Sequence, residues 1–566
     1  MKFYQLTLYL LSINLSVAQI AFDNEAETLG VEIICGNTLF GNGVSFFDYD
    51  NDGWDDLTVA TADDDPVRFY KNINGNFVEQ TLNIANNNWR NKQVNWVDID
   101  NDGDNDLFVT SDTSINRLYE NLGNMILQDI TSTSGLLNEV LVTYGASWGD
   151  YNNDGFLDVF LSNRDTTIPN ILYKNNGNNT FSLVNSESGL ITTGTLSFCS
   201  AFIDYNKDGF QDIYVANDKV EYPNIMYKNN GDGTFTEVGF ETGTDITIDA
   251  MSVTIGDYNS DSWLDIYVTN DVVGNVLLKN NGNGTFSDET LSSNTAMNSV
   301  AWGSVFLDAE NDGDLDIYVS AEHDGTVSGY LSSALFTNNN DEYILENEAI
   351  PDDYAISYSN AIGDIDNDGY PEILVNNINH DNIFLWKNNS NNTNNWLKVK
   401  LEGTISNRNG VGSMIEISVN GEKQYRYTLI GEGYLSQNSA SEIFGIGDAT
   451  VIDYVKVNWL SGTEDIFYNV SPNQNLKIVE GSSLSIEESN TSEIKLFPIP
   501  TTEILNIESS LPIEEVMVYN LLGEVNISAN MNKNEISLDV TSLEPGIYFL
   551  RLSLNSSQEI IKFIKK

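Results

Sequence analysis

An aspartate-rich pattern of nine residues recurs seven times between residues 48 and 372. It reads Asp-x-Asp/Asn-x-Asp-Gly-x-x-Asp with few departures, so oxygen-bearing side chains occupy positions 1, 3, 5 and 9. Glycine at position 6 permits a sharp turn. Calcium takes six to eight oxygen ligands from carboxylates, amides and backbone carbonyls. The pattern therefore predicts about one calcium ion per repeat, with position 7 adding a backbone carbonyl.

Each loop offers four candidate side-chain ligands. The expected metal ligands are Asp48, Asp50, Asp52 and Asp56; Asp98, Asp100, Asp102 and Asp106; Asp150, Asn152, Asp154 and Asp158; Asp204, Asn206, Asp208 and Asp212; Asp257, Asn259, Asp261 and Asp265; Asp308, Glu310, Asp312 and Asp316; and Asp364, Asp366, Asp368 and Glu372. Plain turns are the alternative, because Asp and Asn favour turns. Turns do not need several carboxylates, which repel one another by roughly a few kcal/mol at this spacing. Sodium and magnesium are alternatives that suit the loops less well; magnesium demands octahedral geometry and keeps its waters.

The fifth loop departs from the pattern, since Ser262 stands where the other loops have glycine. If position 6 requires a positive φ, a serine there raises the conformational energy of the loop by about 1 kcal/mol relative to glycine. We therefore expect the fifth site to bind calcium most weakly. We also expect a chelator to destabilise the whole repeat region.

The residues around each loop predict β-strands. Apolar residues precede the first loop at Phe46 and follow it two apart, at Leu57 and Val59, and the other six copies repeat this alternation. A Tyr-Lys-Asn or related triplet follows, often with an Asn-Gly hairpin turn. The copies begin 50 to 56 residues apart, which is enough for four short strands and one propeller blade. We therefore predict an all-β chain with a seven-bladed β-propeller over residues 19–395, closed by residues 20–44.

Loops of this kind at blade spacing resemble the FG-GAP/VCBS repeat family, which builds integrin α-chain propellers. The resemblance covers residues 20–390. It implies structural calcium in each blade and a ligand-binding role for the face of the ring, without identifying the ligand.

Residues 396–480 resemble the ASPIC/UnbV domain that follows such repeats in cartilage-acidic-protein-like chains. The matching segments are Asn407 to Gly412, Gly433 to Asn438, Phe444 to Gly447 and Trp459 to Gly462. Short alternating strands with glycine turns predict a small β domain here. The resemblance implies no definite chemistry.

The last part of the chain predicts a linker and a third domain. Residues 481–494 are polar and rich in Ser and Glu. Residues 495–566 resemble the type A sorting domain of bacterial type IX secretion, through Leu496 to Pro498, Val516 to Asn520 with Gly523, and Pro545 to Leu550. Ile499-Pro500 replaces the family's usual Asn-Pro. The resemblance implies a β-sandwich that engages the type IX secretion machinery; a β-sandwich of other use is the alternative.

The N-terminus predicts export. Lys2 is followed by a short apolar run from Leu6 to Val17 and by small residues that end at Ala18. This is the pattern of a secretory signal peptide over residues 1–18. It is too short for a membrane span, and we predict no membrane-spanning segment in the mature chain. The protein is therefore expected to be secreted or held at the outer cell surface.

Composition excludes several partners and chemistries. The formal charge of −57 argues against nucleic acid and anionic lipid as partners. His323 and His380 have no neighbouring His or Cys, which disfavours zinc and histidine-based acid–base chemistry. The chain has two cysteines, Cys35 and Cys199, and the sequence leaves open whether they pair.

The expected function is binding, adhesion or scaffolding outside the cell, toward an unknown protein or glycan. We assign no catalytic and no other cofactor-binding residue. The alternative is a secreted polysaccharide-active enzyme, because glycoside cleavage needs only a suitably spaced pair of carboxylates. A structural matrix component is a third possibility. The oligomeric state is not predicted.

Overall fold

A computed structural model describes residues 20–36, 38–82, 84, 88–346, 348–379, 381–390, 393–484, 494–520, 525–554 and 557–566. The expected signal peptide, His380, Gly523 and residues 485–493 of the expected linker lie outside the described residues. The chain forms two compact units, one that ends at Glu480 and one over Gly481–Lys566.

Seven four-stranded antiparallel blades make up most of the first unit, which confirms the all-β propeller fold. Blades 1 to 4 contain Val44–Phe47, Asp56–Val59, Arg68–Ile73 and Asn76–Gln80; Asn91–Val97, Asp106–Ser111, Arg117–Asn121 and Leu127–Asp129; Thr143–Gly149, Asp158–Asn163, Ile171–Asn175 and Phe181–Leu183; Ser197–Ile203, Asp212–Asn217, Ile225–Asn229 and Phe235–Glu237. Blades 5 to 7 contain Val253–Gly256, Asp265–Val268, Val276–Asn280 and Phe286–Asp288; Ala301–Leu307, Asp316–Ala321, Ser333–Asn339 and Glu342–Leu345; Ser357–Gly363, Glu372–Asn377 and Phe384–Asn388 with Phe22–Asn24.

The first strands of successive blades contact one another around the ring, and the first strand of blade 7 returns to that of blade 1. Phe22–Asn24 pairs with Phe384–Asn388 and supplies the outer strand of blade 7. Residues from the predicted closing segment therefore do close the ring. Single-turn helices Asn185–Ser188, Gly239–Thr242 and Thr290–Ser293 follow the outer strands of blades 3, 4 and 5.

The inner strands are buried on both faces because each blade packs between two others. Every residue of Asp106–Ser111 and Asp212–Asn217 is buried, including Phe108 and Tyr214. Cys35 and Cys199 lie in this interior as free thiols, which answers the question of their pairing. Burial raises the pKa of the Cys35 thiol to about 12.

Residues 396–480, called the cap from here on, belong to the same compact unit as the propeller. Two sheets enclose a core that includes Leu397, Ile415 and Val457. The cap strands are Trp396–Glu402, Ser441–Gly445 and Gln474–Val479 in one sheet and Met414–Val419, Glu422–Tyr427, Ile452–Asn458 and Glu464–Val470 in the other. A further short strand, Ser436–Gln437, pairs in parallel with the first strand of blade 1. A 3₁₀ helix over Ser482–Leu484 follows the cap and belongs to the second unit.

The described residues of the second unit include five strands around one apolar core that contains Leu505, Val518 and Leu552. The strands are Ile494–Phe497, Ile504–Tyr519, Val525–Asp539, Gly546–Leu554 and Ser557–Lys565. Val525–Asp539 pairs with both halves of Ile504–Tyr519, with a register shift between Glu508 and Ile513. On its other edge, the first half of Ile504–Tyr519 pairs with Ile494–Phe497 and the second half with Gly546–Leu554. None of the described helices is long and apolar enough to cross a membrane.

Candidate metal centres

Each aspartate-rich loop connects the first and second strands of its blade and has the same internal hydrogen bonds. The carboxylate at position 1 accepts from the backbone N–H groups of positions 5 and 6. In the first loop, Asp48 accepts from Asp52 N at 2.9 Å and from Gly53 N at 3.1 Å. Position 6 has a positive φ in every loop, including 75° at Ser262. The fifth loop thus carries the backbone conformation that glycine adopts at least cost.

The carboxylate at position 9 is held beneath the loop by two backbone groups. Asp56 accepts from Tyr49 N at 3.2 Å and from Asn72 N at 2.7 Å. Asn72 ends the Tyr-Lys-Asn triplet, and its side chain donates to the carbonyls of Asp55 and, in blade 7, Ile365. The triplet asparagine therefore orients a candidate ligand and joins neighbouring blades.

The loops bring positions 1, 3 and 9 together. In four loops the acidic oxygens of these positions lie within 4.8 Å of one another: Asp48, Asp50 and Asp56; Asp98, Asp100 and Asp106; Asp308, Glu310 and Asp316; Asp364, Asp366 and Glu372. In the third, fourth and fifth loops position 3 is Asn152, Asn206 or Asn259, so an amide replaces one carboxylate.

Position 5 is arranged differently from these clusters. Its carboxylate accepts a hydrogen bond from the N–H of position 7 in all seven loops, as Asp52 does from Trp54 N at 3.1 Å. It is not a member of the 4.8 Å groups. In the sixth loop the structure adds a carboxylate that the sequence pattern did not include, because Asp314 at position 7 is half-buried beside the cluster.

Burial makes these carboxylates costly to ionise without a counter-charge. It raises the pKa of Asp56 to about 9 and of Asp106 to about 8, although hydrogen bonds from Asn72 and Asn121 oppose the shift. Burial likewise raises the pKa of Asp98 and Asp257 to about 7. A bound cation would remove this cost, because it stabilises the ionised form.

Buried oxygens without a hydrogen-bond donor mark where a cation would fit. Asp50 Oδ1, Asp366 Oδ1 and Glu372 Oε1 have no hydrogen-bond partner among the described residues. All three belong to clusters in which several carboxylates converge. Each remaining lone pair can coordinate a metal ion, so the residues present fit a divalent cation.

Asparagines at position 4 link successive loops around the ring. In five loops Nδ2 of this residue donates to the position 6 carbonyl of the next loop: Asn51 to Gly103, Asn101 to Gly155, Asn153 to Gly209, Asn311 to Gly369 and Asn367 to Gly53. The fourth and fifth loops have Lys207 and Ser260 at this position. Lys207 Nζ instead donates to Ser262 Oγ at 2.7 Å.

The cap binds the face of the propeller that carries the loops. Lys400 Nζ lies 2.9 Å from Asp48 in the first loop. Lys398 Nζ, which is buried, lies 3.4 Å from Asp364 in the seventh loop and 3.5 Å from Asp55. Gly445 N donates to Asp308 in the sixth loop. The cap therefore contacts the position 1 carboxylates of three candidate metal sites.

Residues Ile430–Ser439 of the cap, called the plug from here on, enter the centre of the ring. Its backbone and side chains hydrogen-bond to five blades, through Val44, Trp96, Trp148, Val253 and Ile362. Tyr434 and Leu435 are completely buried among aromatic residues from several blades. Tyr434 Oη donates to Phe40 O at 2.8 Å, so the plug meets the N-terminal segment inside the channel.

Comparison with protein families finds matches to segments in all three parts of the chain. Residues 48–109, 98–161, 150–215, 204–268 and 257–319 match the FG-GAP-like repeat, which confirms the first resemblance. Residues 403–485 match the ASPIC and UnbV family, and residues 495–566 match the secretion system C-terminal sorting domain.

Similar proteins include beta-agarase D of Zobellia galactanivorans, which is 25% identical over 158 residues. This similarity covers 28% of the chain and 31% of the agarase, so the chain spans about a third of the length of that relative.

Among solved structures, one similar to this chain is the extracellular domain of the hybrid two component system BT4673 of B. thetaiotaomicron. The alignment covers 97% of this chain and 98% of the BT4673 chain. The identity is 9% and the TM-score 0.40. A second similar structure is BBS1N in complex with ARL6DN. The alignment covers 62% of this chain and 93% of the matched chain, with 11% identity and a TM-score of 0.38.

The sorting domain indicates export by type IX secretion, so the protein is secreted or displayed at the cell surface. The chain is therefore an exported protein built from FG-GAP-like repeats, an ASPIC and UnbV domain and a secretion system C-terminal sorting domain.

Proposed function

We propose that this chain is a calcium-loaded extracellular binding protein whose ligand is a glycan. The observation that carries the calcium assignment is the convergence of buried acidic oxygens in repeated loops. Hard oxygen donors are the ligands that calcium prefers, and its coordination geometry is adaptable. A calcium ion would connect the two strands that flank each loop, and it would stabilise the face on which the cap rests.

Metal content tests the calcium assignment directly. The purified full chain is dialysed against trace calcium and analysed by native mass spectrometry and by elemental analysis. We expect about one calcium ion per repeat, lost on treatment with a chelator and recovered on readdition. A folded protein that carries no divalent ion under these conditions would refute the assignment.

The glycan assignment is supported by the similarity to an agarase, since an agarase acts on a polysaccharide. The channel of the propeller is filled by the plug and by the segment around Phe40, so we place the ligand site elsewhere on the unit. Binding without cleavage agrees with our assignment of the loop carboxylates to metal coordination.

A glycan array with the full chain tests this function, and a parallel reducing-sugar assay on agarose separates binding from cleavage. We expect binding to one or more neutral glycans and no release of reducing ends. Release of reducing ends would favour the polysaccharide-active enzyme instead. Binding only to proteins in a matched protein array would contradict the glycan assignment.

A further inference from the structure

A cleft of about 370 Å³ lies between the fourth and fifth loops and the cap. This volume falls in the range of pockets that hold small ligands. Its floor is apolar and includes Met414, Tyr427 and Leu460. Its polar lining includes Lys207, Ser262 and Asn458.

The cleft coincides with the places where positions 4 and 6 of the repeat pattern change. Position 4 is Asn in five loops, and both exceptions, Lys207 and Ser260, belong to the two loops at the cleft. Position 6 is Gly in six loops, and the exception, Ser262, lines the cleft. Ser262 keeps a φ of 75°, which is strained for serine. Strained residues that replace a relaxed alternative are typical of functional sites.

The polar groups of the cleft are available to a ligand. Lys207 Nζ lies 4.1 Å from the centre of the Trp263 ring and donates to Ser262, and no carboxylate lies within ion-pair distance of it among the described residues. The side-chain amide of Asn458 makes no hydrogen bond to any residue that the structure describes. The cleft thus offers an ammonium, a hydroxyl and an amide that can each hydrogen-bond to a ligand above an apolar floor.

Two carboxylates line the cleft, those of Asp204 and Glu416. Asp204 is a candidate calcium ligand of the fourth loop, and Glu416 is paired with Lys423 Nζ at 2.7 Å. Burial of Glu416 opposes ionisation, but hydrogen bonds from Lys423 and Tyr454 lower its pKa, so the ion pair persists at neutral pH. A polyanionic ligand would meet the strongly negative field of the chain. A neutral ligand with many hydroxyl groups and apolar C–H faces matches both the free polar groups and the floor.

We infer that this cleft binds a neutral saccharide unit, whose hydroxyls hydrogen-bond to Lys207, Ser262 and Asn458 while its C–H face packs on Met414 and Leu460. This inference rests on the proposed glycan-binding function and gives that function a place and a ligand class.

The test measures binding of neutral oligosaccharides prepared from agarose to the full calcium-loaded chain by calorimetry. Lys207→Asn restores the residue of the other loops, and Asn458→Ala removes the free amide. Each of these two variants loses a hydrogen bond to the saccharide, and we expect each to weaken its binding roughly fivefold to tenfold. Ser262→Gly should weaken binding while raising the melting temperature, which separates loss of a ligand contact from loss of folding.

Lys228→Asn is the matched control, because it makes the same charge change in the same blade without lining the cleft. It should bind as the unaltered chain does. If the unaltered chain binds but all three cleft variants bind within twofold of it, the cleft assignment is wrong and the glycan function stands. If the unaltered chain binds none of the neutral oligosaccharides of the panel and array, the proposed function fails, and this inference fails with it.

Discussion

Asn367 Nδ2 donates to Gly53 O at 3.2 Å, which joins the seventh loop to the first. The same side chain accepts from Lys398 Nζ of the cap at 3.2 Å. One asparagine thus connects the two ends of the ring of loops and the cap above them. This arrangement indicates that the loops, the ring closure and the cap form one cooperative structure.

The buried hydrogen bonds between neighbouring loops should stabilise the ring more than the exposed ones. Asn311 is fully buried and donates to the buried Gly369 carbonyl, whereas Asn153 makes the same bond to the exposed Gly209. Both asparagines have positive φ, so glycine removes the side chain without backbone strain. We expect Asn311→Gly to cost about 1–2 kcal/mol of unfolding free energy and Asn153→Gly less than about 0.5 kcal/mol. Urea denaturation measures both, and equal costs would contradict the role of burial.

Removal of calcium should destabilise the propeller strongly. Extracellular modules bind calcium with dissociation constants of about 10⁻⁴–10⁻³ M, and one site filled at ten times this constant adds about 1.4 kcal/mol. Seven sites would together add roughly 10 kcal/mol. We expect a chelator to lower the melting temperature by more than about 10 °C. Readdition of calcium should restore it and magnesium should not; an unchanged melting temperature would refute the prediction.

The calcium-free chain should become less stable as the pH rises. Burial raises the pKa of Asp150 and Asp204 to about 6 and of Asp106 to about 8, against about 4 in an unfolded chain. Between these values the folded state binds more protons than the unfolded state, so stability falls from pH 5 to pH 8.

Calcium should cancel this trend, because it stabilises the ionised carboxylates and competes with protons. Melting temperatures across this pH range, with calcium and with chelator, should diverge as the pH rises. Parallel curves would show that the loop carboxylates do not hold the metal.

The loops and blades could be predicted because their signals are local. Leu57 and Val59 follow the first loop within a few residues, and both are buried in the second strand of blade 1 as expected. The residues between such apolar pairs, including Phe160 and Tyr267, could not be assigned from alternation. They are buried because a neighbouring blade covers the second face of each inner strand.

Apart from the closure of the ring by residues 20–44, contacts between distant segments could not be predicted. The hydrogen bond from Asn51 could not be predicted, because its partner Gly103 lies 52 positions away. The recurrence of asparagine at position 4 in five of the loops was the one sign in the sequence that this position has a shared role. Gly433 to Asn438 stood out as a family motif, but only the fold shows that it occupies the propeller channel. The metal ligands at positions 1, 3, 5 and 9 remain predictions.

Strain in the fifth loop should weaken its metal site. Ser262→Gly relieves the cost of a φ of 75° and should raise the unfolding free energy by about 1 kcal/mol. The fifth site should then bind calcium more tightly, because less strain opposes the folded loop. Calcium titrations of seven variants, each with the position 1 aspartate of one loop replaced, would show which binding step belongs to the fifth site. Equal affinity at all seven sites would contradict the prediction.

Docking of the plug depends on close backbone approach at Gly431. A Cβ atom at Gly431 would collide with the carbonyl oxygen of Ala146 in blade 3, and its φ is 86°. Gly421 in the cap has a φ of 88°, and a Cβ atom there would meet no described atom within 4 Å, so it provides a control with the same backbone conformation. We expect Gly421→Ala to cost about 1 kcal/mol from strain alone. Gly431→Ala should cost a further 1–3 kcal/mol or so from overpacking and should expose the cap to limited proteolysis. Equal melting temperatures for the two variants would show that the plug does not pack against blade 3 as the structure describes.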